Sequence, residues 1–69
     1  MVKGTVIWFN VNRGYGFLAP DEGHEAVFVH YSAIVRAQGG YRPLQPGQRV
    51  MYEVATGPKG PQAANLRPL

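Results

Sequence analysis

Two short stretches of strictly alternating side chains restrict the fold of this chain more than any other feature of its sequence. In residues 15–18 (YGFL) two aromatic rings alternate with glycine and leucine, and in residues 27–30 (VFVH) two valines alternate with phenylalanine and histidine. A period of two predicts β-strands, and a half-buried strand turns its aliphatic set toward the core. We therefore predict that Leu18, Val27 and Val29 face the core. The side chains predicted to face outward are Tyr15, Phe17, Phe28 and His30.

The outward rings predict a binding surface. A single exposed aromatic side chain needs no explanation, but several on one sheet face beside basic residues form a patch that indicates binding. The flat ring faces suit unpaired bases, and nearby cations suit phosphates.

Turn signals divide the rest of the chain into short strands. Strands are predicted at residues 2–10, 15–19, 26–30, 49–55 and 62–67. A single helical turn is expected at 31–34, with Ile34 closing one end of a barrel. Residues 35–48 hold the pair Gly39-Gly40 and two prolines, Pro43 and Pro46, so they are predicted to form a loop. Five short strands without an amphipathic helix favour an all-β barrel or sandwich, and the outward aromatics favour a small five-stranded barrel of the oligonucleotide-binding (OB) type.

Strand parity assigns further side chains. In the first strand both faces are apolar, so we predict a β-bulge that leaves Val6 in the core and turns Trp8 outward, with Phe9 open to either role. In the fourth strand the alternation predicts three inward side chains, and the last strand adds two. These predicted core residues are Val50, Tyr52, Val54, Ala64 and Leu66.

Composition sets the limits of this interpretation. Sixty-nine residues make one domain, 1–69, with a modest core. The net charge of +3 comes from seven cations spread along the chain, which fits ordinary solubility as well as polyanion binding. The sequence has no cysteine, no apolar run of membrane-helix length and no signal-peptide pattern, so we expect a cytoplasmic protein without a membrane partner.

Four blocks carry a family resemblance: WFN (8–10), RGYGFL (13–18), VFVHY (27–31) and GPQAAN (60–65). Together they resemble the bacterial cold-shock protein family over nearly the whole chain, from about Val2 to Leu66. The resemblance implies a five-stranded antiparallel barrel of the OB type that binds single-stranded RNA and DNA as an RNA chaperone. Two departures concern the ligand: Ile7 stands where the family often carries lysine, and Ala26 stands at or beside a usual aspartate.

The expected nucleic-acid-binding residues fall into two groups. The stacking rings are Trp8, Tyr15, Phe17, Phe28, His30, Tyr31 and Tyr41, and the polar or cationic contacts are Lys3, Asn10, Arg13, Arg42 and Lys59. Tyr41 has an alternative role in which it folds back to shield the core. Gly14 and Gly16 suit a turn and a bulge, and they also leave bare backbone that lets bases lie flat against Tyr15 and Phe17; both roles are compatible. The expected ligand is an unpaired, pyrimidine-rich strand bound by a monomer, although a small barrel with a long loop also allows domain-swapped dimers.

The sequence gives little support for metal binding or catalysis. His24 and His30 without cysteine do not make a zinc site. Ser32 follows His30 but lacks an acidic partner placed by the sequence, and the carboxylates cluster at 21–25, in a turn expected at the rim or away from the ligand. We therefore expect no enzymatic activity, no metal and no cofactor. The alternatives are an SH3-like barrel that receives proline-rich peptides and a ribosome-associated barrel that acts through protein contacts.

Overall fold

The chain folds into a closed barrel. The computed structural model describes residues 1–23, 25–35, 44–58 and 60–69, and within them five strands follow one another around the barrel in the order β1–β2–β3–β5–β4. The elements are β1 (Val2–Asn10), β2 (Tyr15–Pro20), β3 (Val27–His30), a 3₁₀ turn (Tyr31–Ala33), β4 (Arg49–Gly57) and β5 (Gly60–Pro68). The predicted all-β barrel of the OB type is confirmed, and the predicted helical turn is a 3₁₀ turn one residue shorter than expected.

The barrel closes through one parallel seam. The β1–β2, β1–β4, β2–β3 and β4–β5 pairings are antiparallel. By contrast, β3 and β5 run parallel, with Phe28 opposite Gln62, and Ile34 bridges Leu66 in the same sense. This seam brings the first residues of β5 beside the ring-bearing strand β3.

The aliphatic sides of the strands fill the barrel. The buried core residues are Val6, Leu18, Val27, Val29, Leu44, Val50, Tyr52, Ala63 and Leu66. The predictions for Leu18, Val27 and Val29 are therefore confirmed, and so is the inward assignment of Tyr52. Leu44 was not predicted, because it lies in the segment that the glycines and prolines marked as a loop.

The β-bulge predicted in β1 is present. The register with β2 shifts between Val6 and Trp8, so Val6 is 2% exposed while Trp8 is 39% exposed and lies outside. Ile7, the extra residue, is 47% exposed. Phe9, whose role was open, packs against the core.

Two core predictions are wrong, both in the β4–β5 hairpin. Val54 is 49% exposed, because β1 pairs with β4 only up to Tyr52 and leaves the far half of β4 uncovered. Ala64 is half-buried, whereas Ala63 is 2% exposed. The β4–β5 register shifts beside Asn65, whose φ of 51° is left-handed, and this extra residue resets the parity of β5.

Tyr52 carries a buried hydroxyl that has no hydrogen-bond partner among the described residues. A buried, unpaired hydroxyl destabilises the fold by about 1–3 kcal/mol. We therefore expect Tyr52→Phe to raise the free energy of unfolding by about 1 kcal/mol in chemical denaturation at neutral pH. A loss of stability on this substitution would show instead that the oxygen fills space that the core needs.

The same prediction has a pH dependence. Burial, and then the charge of Asp21, raise the pKa of Tyr52 above its ordinary value. In alkaline solution the unfolded chain therefore loses this proton before the folded chain does, so the parent protein loses stability as the pH rises above about 10. The advantage of Tyr52→Phe should grow in that range, which denaturation at neutral and alkaline pH measures.

Candidate functional site

Four outward rings form a continuous group, here called the aromatic cluster: Trp8, Tyr15, Phe17 and Phe28. Each ring contacts two others. The centroid distances are 5.6 Å for Trp8–Tyr15, 5.5 Å for Trp8–Phe17, 5.7 Å for Tyr15–Phe28 and 5.9 Å for Phe17–Phe28. Tyr15 and Phe28 are nearly parallel at 25°, whereas Phe17 meets Phe28 edge-on at 77°. Such distances and tilts are those that aromatic pairs prefer.

Strand register explains how these rings meet. Phe17 of β2 lies opposite Trp8 of β1 on one side and opposite Phe28 of β3 on the other. Side chains directly opposite on neighbouring strands share a face and lie in contact. The three rings therefore make a row across three strands. Tyr15, two residues before Phe17 on β2, extends this row on the same face. The bulge in β1 is what brings Trp8 onto this face.

His30 and Tyr31 extend the surface toward the 3₁₀ turn. Their rings lie 4.4 Å apart and are tilted by 39°. The Nδ1 atom of His30 lies 2.9 Å from the Ser32 hydroxyl and accepts the Ser32 backbone N–H at 3.2 Å. His30 is thus hydrogen-bonded to a neighbouring residue while its ring lies on the outer face of the barrel. Tyr31 is 47% exposed.

A groove of about 320 Å³ opens beside Phe28, between β3 and the start of β5. It is lined by Phe28, His30, Ser32, Pro58, Gly60 and Gln62. Sequence reasoning missed Ser32, Pro58 and Gln62 as parts of the site. Ser32 is there because it directly follows β3. Pro58 and Gln62 are brought there by the parallel β3–β5 seam, which joins residues more than thirty positions apart and which no local pattern signals.

The two glycines before the rings serve packing. A side chain at Gly14, whose φ is 75°, would meet the ring of Tyr31 at 2.6 Å. At Gly16 it would strike the Trp8 carbonyl and the Phe9 backbone and ring, on the core side of the sheet. The interpretation that bare backbone at Gly16 admits bases is therefore wrong, because this residue faces away from the aromatic cluster.

The predicted polar residues are spread over different places. Asn10 accepts the backbone N–H groups of Asn12 and Arg13 through its Oδ1 atom, both at 3.0 Å, and so shapes the turn that leads into β2. Arg13 is exposed on that turn, two residues before Tyr15. Three of the predicted binding residues fall outside the described part of the chain: Tyr41, Arg42 and Lys59. His24 also lies outside it.

Lys3 lies away from the aromatic cluster. It is five residues from Trp8 along β1, a separation of about 16 Å in a strand. It lines a pocket with Asp21 and Glu22, and its carbonyl accepts the Asp21 backbone N–H at 3.0 Å. The structure therefore groups this lysine with the acidic turn rather than with the rings.

The acidic turn is tied to the barrel by Arg49. The Arg49 guanidinium donates two hydrogen bonds of 2.6 Å to the Asp21 carboxylate and one of 2.9 Å to the Thr5 hydroxyl. The hydrogen bond from Arg49, with the nearby positive charges, holds the pKa of Asp21 below its ordinary value. Asp21 follows β2 at the end opposite Tyr15, so this ion pair is remote from the aromatic cluster.

Two further findings concern other kinds of site. Among the described residues, no group of three or more histidine, cysteine, aspartate or glutamate side chains could hold a metal ion. Within the same part of the chain, no helix has the length and apolarity needed to cross a membrane.

Comparison with known proteins gives consistent matches over the whole chain. The family model of the 'Cold-shock' DNA-binding domain matches residues 2–69. The sequence is 49% identical to the cold shock-like protein CspE of Escherichia coli over 94% of this chain and 91% of that protein. It is 54% identical to the cold shock protein ScoF of Streptomyces coelicolor over 99% of this chain and 98% of that protein.

A solved structure matches as well. The chain titled "drosophila Unr CSD456" superposes with a TM-score of 0.78 at 22% sequence identity, covering 99% of this chain and 26% of that one. At this identity the likeness concerns the fold.

Proposed function

Because this chain belongs to the cold-shock domain family, a family of nucleic-acid-binding domains, we propose that it binds single-stranded RNA and DNA by stacking unpaired bases on its aromatic cluster. One observation supports this proposal above all: four rings, each in contact with two of the others, lie on the outer face of three strands whose inner face contributes to the aliphatic core. Each base stacked on a ring contributes about 1–3 kcal/mol by alanine substitution.

The preferred ligand is an unpaired strand, because a duplex hides its base faces. A pyrimidine-rich sequence is the natural test ligand, since its bases are small and its flexible backbone lets them reach a row of closely spaced rings. The aromatic cluster is contributed by a single copy of the chain, so a monomer suffices for binding.

An RNA-chaperone role follows from mass action. A protein that binds the open form of a hairpin and not the closed form shifts the equilibrium toward the open form without consuming ATP. This role would be exercised in the cytoplasm, where structured transcripts are the substrate.

The central experiment is a titration followed by the fluorescence of Trp8, which is part of the aromatic cluster. We expect quenching by an oligothymidine strand and little change with a duplex of equal length or with a proline-rich peptide. Saturation by the peptide and not by the strand would replace this proposal with the SH3-like alternative.

Salt dependence tests the phosphate contacts. With Lys3 grouped with the acidic turn, the remaining cationic candidates are Arg13, Arg42 and Lys59. Three contacts predict a slope of log K on log salt of about −2, at about 0.7 per contact for a single strand. The measurement is the same titration at several salt concentrations.

Two matched variants sharpen the salt measurement. Arg13→Gln should make the slope less steep by about 0.7. Lys3→Gln removes the same charge at the remote site and should leave the slope unchanged. Equal effects of the two substitutions would mean that charge acts over the whole domain rather than through a local contact.

A further inference from the structure

His30 and Ser32 form a small hydrogen-bonded unit at the edge of the groove. The Ser32 backbone N–H, 3.2 Å from His30 Nδ1, can act only as a donor. Nδ1 must therefore be the acceptor, which assigns the neutral imidazole to the tautomer that carries its proton on Nε2. The Ser32 hydroxyl lies 2.9 Å from the same nitrogen and adds a second contact.

These contacts restrict the plane of a ring that is otherwise half-exposed. The terminal torsion of a histidine side chain is broad and roughly two-fold, so the backbone alone does not choose between the two ring orientations. Ser32 holds the Nδ1 edge, and the Tyr31 ring lies against the imidazole at 4.4 Å. The imidazole is thereby held from two directions.

We propose that Ser32 is a positioning residue for nucleic-acid binding, which fixes the plane and the tautomer of His30 so that a base can stack on it in the groove beside Phe28. This inference rests on the proposed function and adds a residue that acts through another. With Nδ1 engaged, Nε2–H is the ring nitrogen that a ligand can reach, and it is a donor. A base with a carbonyl on its edge, as pyrimidines have, is the matching ligand.

A double-mutant cycle tests whether Ser32 acts through His30. The four proteins are the parent, Ser32→Ala, His30→Ala and the double variant, each titrated with oligothymidine. Ser32→Ala should weaken binding about two- to tenfold, the value of one hydrogen bond, and should have no further effect in the His30→Ala background. Ser32→Thr, which keeps the hydroxyl, should stay within about twofold of the parent.

The His30 ring supplies a readout that a merely structural role would not move. In the ligand-free, ¹⁵N-labelled protein, long-range ¹H–¹⁵N correlation spectra should show His30 protonated on Nε2 in the parent, in Ser32→Thr and in Ser32→Ala, because the Ser32 backbone N–H is present in all three. The His30 ring signals should broaden in Ser32→Ala alone, because loss of the hydroxyl lets the ring sample both orientations. Thermal unfolding of each variant checks that the barrel is intact.

The outcomes distinguish the positioning role of Ser32 from nucleic-acid binding itself. An Nδ1–H tautomer in the parent, or equal weakening by Ser32→Ala with and without His30, would overturn the positioning role while leaving nucleic-acid binding in place. A parent protein that does not bind oligothymidine at all would overturn the proposed function, and the role of Ser32 with it.

Discussion

Replacing Phe28 with alanine is expected to weaken the complex with an oligothymidine strand by more than tenfold while the barrel stays folded. Phe28 contacts both Tyr15 and Phe17 and also lines the groove, so it joins the two parts of the candidate surface. Losing the stacking of one base on a ring weakens the binding free energy by about 1–3 kcal/mol, which corresponds to roughly 5- to 150-fold in affinity.

The barrel should tolerate this change because Phe28 is only half-buried, whereas the core on the opposite face of β3 is made by Val27 and Val29. Tyr15→Ala should act in the same direction, since Tyr15 stacks nearly parallel to Phe28. Affinities are measured by titration, and thermal unfolding confirms the folded state of each variant.

Two control variants separate stacking from general loss of apolar surface. Phe28→Tyr keeps the ring and should bind within about threefold of the parent, as a retained stacking face predicts. Val54→Ala removes an exposed apolar side chain from the outer half of β4, away from the rings, and should leave the affinity unchanged. If the alanine variants of Phe28 and Tyr15 both bind like the parent, stacking on the aromatic cluster is not the mechanism.

Local alternation was sufficient to predict the ring surface. In β2 and β3 every residue is extended and regularly paired, so a period of two translates directly into an inner and an outer face. The same reasoning placed the bulge of β1, because a strand that is apolar on both faces needs a change of parity to bury one of them.

The two core failures have different physical causes, which are a partner strand that ends early for Val54 and a local change of backbone conformation for Ala64. Val54 alternates perfectly with its neighbours, yet the strand that would cover it ends before reaching it. Ala63 is buried in place of Ala64 because Asn65 adopts a left-handed conformation, which asparagine tolerates but does not require.

The candidate site has parts that the local sequence determines and parts that depend on residues distant in sequence. The rings of the aromatic cluster could be predicted because each is set by its own strand. The groove beside Phe28 could not, since Gln62 reaches it only through the parallel seam. Lys3 was assigned to the ligand from its charge, although five residues of a predicted strand already separated it from Trp8. Its grouping with Asp21 and Glu22 depends on the contact between β1 and the end of β2.

Gly16→Ala is expected to be the most destabilising single-methyl addition in this part of the barrel. Gly16 lies opposite Phe9 in the β1–β2 ladder, where the two strands approach each other beside the bulge. An added Cβ would strike the Trp8 carbonyl, and it would lie 2.8 Å from Phe9 Cα and 2.9 Å from Phe9 Cδ1. Two of these atoms belong to the backbone, so relief requires the strands to separate.

Overpacking that forces the backbone to move typically destabilises by about 1–3 kcal/mol and occasionally by more, whereas a core of this size supplies only about 3–5 kcal/mol. The variant should therefore be partly unfolded at 25 °C in circular dichroism and chemical denaturation. Because the displaced backbone is that of Trp8, the folded fraction should also bind oligothymidine more weakly than the parent.

Gly47→Ala provides the matched comparison. A Cβ at Gly47 would meet no atom within 4 Å, but its φ of 86° is left-handed, which disfavours alanine by about 1–2 kcal/mol. This variant should lose stability through backbone conformation alone and should bind with the affinity of the parent once the folded fraction is taken into account. If Gly16→Ala instead unfolds at the same denaturant concentration as the parent, β1 and β2 do not approach each other at Gly16 as closely as the structure shows.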